Sequence, residues 1–137
     1  MTSSPAAAES SEAGTSPGLR PLVVKITCGA EALERLNQAM TVASTALAAG
    51  AEVSVWLTGD ATWMAVAGRA EELALPHGAP LEDLRDALLT DATVTVCGQC
   101  AARRELTPND LLEGATIRGA AAYVEEILRP NAQAIVY

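Results

Sequence analysis

Five short apolar, largely β-branched runs recur along the chain, and the segments between them carry helical spacing. The runs are Leu22 to Thr27, Val53 to Leu57, Thr93 to Val96, Ala115 to Ile117 and Ala134 to Tyr137. Between the first two, Leu33, Leu36, Met40, Ala43 and Leu47 recur every three or four residues, and Gly50 closes the segment. Leu81, Leu84 and Leu88 mark a second helix that starts after Pro80, and Ala120 to Leu128 a third. Strands alternating with helices at this spacing predict an α/β fold: a mostly parallel sheet of about five strands, covered on both faces. Thr58-Gly59-Asp60 reads as a turn opening a helix through Trp63 and Met64, with Asp60 as its N-cap. Leu75 to Pro80 reads as a loop, and Thr107-Pro108-Asn109-Asp110 as a capped helix start.

A chain of 137 residues supports one core. Residues 1–19 are Ser, Thr, Ala, Gly, Pro and Glu without a pattern that buries surface, so they are expected to form a disordered tail ahead of a domain over 20–137. The tail holds two acidic residues, Glu9 and Glu12, and no basic one; six of the eight net negative charges therefore belong to the domain. Such a surface lacks the basic footprint of nucleic-acid or anionic-membrane binding, and no apolar run approaches the roughly 20 residues of a membrane helix. With no nucleic acid or membrane as partner, no secretory signal pattern and an odd three cysteines, a reducing cytoplasm is the expected compartment.

The chemistry concentrates at Cys97-Gly98-Gln99-Cys100. Functional groups in parallel α/β sheets gather beyond the carboxyl ends of strands, and Cys97 stands at such an end. A helix starting near Gly98 places the Cys97 thiol against unpaired N–H groups, which favour the thiolate, the nucleophilic form. Arg103 and Arg104 add positive charge nearby. A thiol pKa below the ordinary value is therefore expected for Cys97. Three chemistries use such a pair: dithiol exchange, a zinc site completed by Cys28 and His77, and a persulfide relay. Dithiol exchange of the thioredoxin type lacks its usual context, because the motif lies past residue 95 behind Thr95-Val96. Zinc lacks a second paired motif, so no metal or other cofactor is expected.

From Cys97 onward the chain resembles the DsrE/DsrF-like (TusD-like) sulfur-relay family, whose members carry a reactive cysteine after a mid-chain strand, then small residues, then an Arg-Arg pair. Here these read Cys97-Gly98-Gln99-Cys100-Ala101-Ala102-Arg103-Arg104. The order of elements from about Pro21 to Tyr137 follows the family as well. The resemblance implies a three-layer α/β/α sandwich, homo-oligomeric assembly, Cys97 as the persulfide carrier, and sulfur donor and acceptor proteins or small thiols as partners. Two positions depart from the pattern: Cys100 replaces a small apolar residue, and Glu105 stands where glycine is usual. A second thiol able to resolve Cys97 into a disulfide keeps a redox function open. A non-catalytic homo-oligomeric binding module is a third reading. Cys28 reads first as a core residue that ends a strand, His77 as an exposed loop residue or a base assisting Cys97, and Trp63 as core or subunit interface.

Overall fold

The computed structural model describes residues 20–137; the expected tail over 1–19 lies outside the described residues. Five strands are present: β1 (Pro21–Ile26), β2 (Glu52–Leu57), β3 (Thr93–Cys97), β4 (Ala115–Arg118) and β5 (Gln133–Val136). All pair in parallel, in the order β4-β3-β2-β1-β5. Parallel neighbours require crossovers, supplied by α1 (Leu33–Ala48), α2 (Leu81–Asp91), α3 (Gly98–Arg103) and α4 (Ala120–Ile127). The chain steps outward from β1 to β4, and the last crossover then returns past β1 to place β5 on its other side. With right-handed crossovers, that reversal puts α4 on the face opposite α1 and α2. The result is the three-layer α/β/α sandwich.

The two faces differ in chemistry because side chains alternate along each strand. Val24 and Ile26 of β1, Val53, Val55 and Leu57 of β2, and Val94 and Val96 of β3 enter one apolar core with Leu36, Met40 and Ala43 of α1 and Leu81 and Leu88 of α2. The intervening residues turn to the other face: Lys25, Ser54, Trp56, Thr95 and Cys97. In register, Lys25 lies beside Trp56 and Trp56 beside Thr95, so one row across the sheet is cationic, aromatic and hydroxylic. On this side α4 has no fully buried residue. One face holds the domain together, and the thinner one is free to carry a site.

The helix expected after Asp60 is instead a run of 3-10 turns, Gly59–Ala65 and Ala70–Glu72. Asp60 lies inside the first of them, Thr58 takes the capping position, and the run is fastened from outside. Arg85 of α2, itself buried, donates two hydrogen bonds of 2.8 Å to the Glu71 carboxylate. Thr107 to Asp110 carries the expected capping box but closes after one 3-10 turn, Pro108–Asp110.

Candidate active site at the β3–α3 junction

Cys97 ends β3 and caps α3. Burial pushes its thiol pKa up. The backbone N–H and the thiol of Cys100, the N–H of Gln99 and the charge of Arg103 outweigh that penalty, and the net shift is downward, as the sequence predicts. Of the two arginines only Arg103 acts in this way. Arg104 turns away, donating to the Asp60 carboxylate at 2.7 Å and to the Cys100 carbonyl at 3.1 Å, so it fastens α3 to the turn after β2.

Cys100 is buried, and its sulfur accepts the backbone N–H of Gly59 at 3.2 Å. Residue 59 reaches it through a close approach of two strand ends. Gly59 has φ +54, and a Cβ there would stand 2.6 Å from the Thr27 carbonyl oxygen.

A cleft of about 160 Å³ opens beside Cys97. Its floor is Lys25 of β1 with Trp56 and Thr58 at the end of β2; Cys97 and Gln99 form one wall, and Gly119, Ala120 and Tyr123 at the start of α4 form the roof. Tyr123 meets Trp56 edge to face, ring centroids 5.3 Å apart at 79°, and the Lys25 Nζ lies 5.0 Å from the Tyr123 centroid. Burial raises the pKa of the Tyr123 phenol.

Glu126 holds the roof in place. Its Oε1 accepts from Ser54 Oγ at 2.6 Å and Trp56 Nε1 at 3.0 Å, and its Oε2 from Arg118 at 2.7 Å. Burial acts to raise its pKa, but these donors and the Arg118 charge prevail and keep the carboxyl ionised below its ordinary range. Arg118 also donates to Thr95 Oγ1 at 2.8 Å, and its residue is the register partner of Cys97. β2 and β4 thus converge on one carboxylate of α4, and β3 joins them through Arg118.

The other candidate residues stand apart from the cleft. Cys28 is in the apolar core, and burial first, then the Glu31 charge, raise its pKa. His77 is exposed at φ +63 and borders a different groove, with Asn37, Gln38 and Thr41 of α1. Among the described residues no group of three or more His, Cys, Asp or Glu side chains is placed to hold a metal ion. Trp63 is half-buried against the core, with the Arg69 guanidinium 3.8 Å above its ring.

A family model described as DsrE/DsrF-like matches residues 22–135. The chain belongs to the DsrE/DsrF-like family. Two archaeal relatives support the placement. The uncharacterized protein MJ0989 of Methanocaldococcus jannaschii is 36% identical over 98 residues, spanning 68% of this chain and 82% of the relative. The uncharacterized protein MK0008 of Methanopyrus kandleri is 31% identical over 116 residues, spanning 82% and 93%. Among solved structures, the ychN protein of E. coli superposes with a TM-score of 0.73 at 15% identity, covering 87% of this chain and 100% of that one. MTH1491 of Methanobacterium thermoautotrophicum, described as a protein of unknown function, superposes at 0.67 with 11% identity, again over 87% and 100%. These two share the fold with this member of the DsrE/DsrF-like family.

Sequence reasoning did not single out Lys25, Trp56, Thr58 or Tyr123 as site residues. A signal for Lys25 was present: a lysine inside an otherwise apolar strand run conflicts with burial on both faces. Trp56, Thr58 and Tyr123 carried no such signal, since they meet only through the register of β1 to β3 and the path of α4.

Proposed function

We propose that this DsrE/DsrF-like protein is a sulfur-relay carrier whose Cys97 thiolate takes up a sulfane sulfur and passes it to an acceptor thiol. The supporting observation is the environment of Cys97: a thiol at the mouth of a cleft, drawn below its ordinary pKa by the N–H groups of Gln99 and Cys100, the Cys100 thiol and the Arg103 charge. A thiolate is the form that attacks sulfur, and a cleft admits a donor. Arg103 and Cys100 support the thiolate, Arg104 positions α3, and Cys28 and His77 lie apart from the cleft. The partners are sulfur donor and acceptor proteins or small thiols in a reducing cytoplasm. The decisive experiment is intact-mass measurement after exposure to a persulfide donor, with a gain of about 32 Da on Cys97 as the expected result. If Cys97→Ser gains as much, the carrier role of Cys97 is wrong.

The two free thiols of Cys97 and Cys100, at the cap and in the first turn of one helix, support a second, redox reading in which mild peroxide converts Cys97 to a sulfenate. The Cys100 thiol then displaces water to form a disulfide. Reversible loss of about 2 Da without sulfur uptake favours it. Homo-oligomeric assembly is part of the proposal: Val124 on α4, Leu128 just after it and Val136 on β5 are large apolar residues left exposed. Light scattering of the purified protein checks it, and a monomer at all concentrations removes it.

A further inference from the structure

Lys25 is the only lysine in the chain, and it sits in β1, an interior strand of the sheet. Its neighbours Val24 and Ile26 point into the apolar core, so alternation aims Lys25 at the cleft. No described carboxylate lies within ion-pair distance of it, and no acidic side chain lines the cleft. Arg118, on the same face, is occupied by Glu126 and Thr95. An ammonium kept unpaired beside a thiolate site, in a strongly acidic protein, leaves room for an external anion.

Volume and lining narrow the class of ligand. About 160 Å³ is the share of roughly five water molecules, and sites for drug-sized ligands start near ~300 Å³. A nucleotide or large coenzyme exceeds that space, whereas a molecule of a few heavy atoms fits. Trp56 and Tyr123 offer aromatic surface to a polarisable sulfur, and Thr58 and Gln99 supply polar groups.

We propose that the cleft binds a small organic persulfide bearing a carboxylate or sulfonate, with its anionic group on Lys25 and its outer sulfur at Cys97. This rests on the sulfur-relay reading and names its donor. The Cys97 thiolate attacks the outer sulfur of R–S–SH, forming a new S–S bond. The donor's own S–S bond breaks, and its electron pair leaves on the inner sulfur as R–S⁻. The proton on the outer sulfur stays with it in Cys97–S–SH, and no external oxidant or reductant is consumed. Lys25 offsets the repulsion between an anionic donor and the thiolate it approaches.

The test compares the persulfides of mercaptopropionate and of its neutral analogue mercaptopropanol, both below saturation, by the rate of mass gain at Cys97. The wild-type protein is expected to prefer the anionic donor by about tenfold, the scale of one charge-assisted hydrogen bond. In Lys25→Gln the ratio falls to about one, and in Lys25→Arg, which keeps the cation, most of it returns. Equal rates in the wild-type protein, or an undiminished ratio in Lys25→Gln, overturn the assignment. Uptake from a protein persulfide alone overturns it too and leaves the relay reading standing. Uptake from no donor removes both.

Discussion

The backbone N–H of Gly59 donates to the sulfur of Cys100 at 3.2 Å, so the second thiol of the Cys97-Gly98-Gln99-Cys100 segment is held by the turn after β2. The thiol held there is among the groups that lower the Cys97 pKa. Cys100 is thereby a support for the Cys97 thiolate.

Removing that support has a measurable sign. In Cys100→Ala the Cys97 pKa rises toward the ordinary thiol value, so less thiolate is present at neutral pH. Alkylation of Cys97 by iodoacetamide then slows about fivefold near pH 7, the scale of one lost hydrogen bond, and the pH–rate curve moves to higher pH. An unchanged curve means that the backbone N–H groups and Arg103 suffice.

Glu105 follows α3 with φ +57, a left-handed conformation that side chains resist and glycine adopts freely. The glycine usual there in the resembling family meets that backbone requirement. Glu105→Gly is expected to stabilise the protein by about 0.5–1 kcal/mol, because the relief of strain exceeds the added freedom of the unfolded chain. Thermal unfolding checks this; a lower Tm contradicts it.

Glu126 accepts from Ser54, Trp56 and Arg118 together. Glu126→Ala leaves three donors short of an acceptor and is expected to cost about 2–3 kcal/mol in denaturant unfolding. The tryptophan emission should also change as the indole N–H of Trp56 loses its partner. A loss below about 0.5 kcal/mol, ordinary for a surface substitution, means that α4 is held by its apolar contacts alone.

The Glu71–Arg85 pair sets an acid limb. Hydrogen bonds from Arg85 lower the Glu71 pKa to about 2, below the unfolded value. The associated stability is present above the unfolded pKa and is lost as pH falls through the folded one, from about 4.5 toward 2. Glu71→Gln should therefore lower Tm at neutral pH and show a shallower decline of Tm over that interval. Parallel Tm profiles for the two proteins mean that other carboxylates produce the limb.

Periodicity along the chain was sufficient for the strands, for the helices Leu33–Ala48, Leu81–Asp91 and Ala120–Ile127, and for Cys97 at a strand end, because alternation and helical spacing are local consequences of burying one face. Segments without a period went otherwise. The Gly59–Ala65 and Ala70–Glu72 turns are fixed by contacts with residues far along the chain, and local propensity cannot weigh Arg104 on Asp60 or a buried Arg85 on Glu71. The tertiary structure alone decided that Arg104 serves Asp60 rather than Cys97. It also set Cys28 and His77 outside the cleft, and brought Lys25, Trp56 and Tyr123 to the side of Cys97. Residues 25, 56, 97 and 123 become neighbours through parallel register and through the single crossover that returns over the opposite face. A strand's own sequence specifies which face a side chain takes, but what it meets there depends on the order in which the strands are laid down.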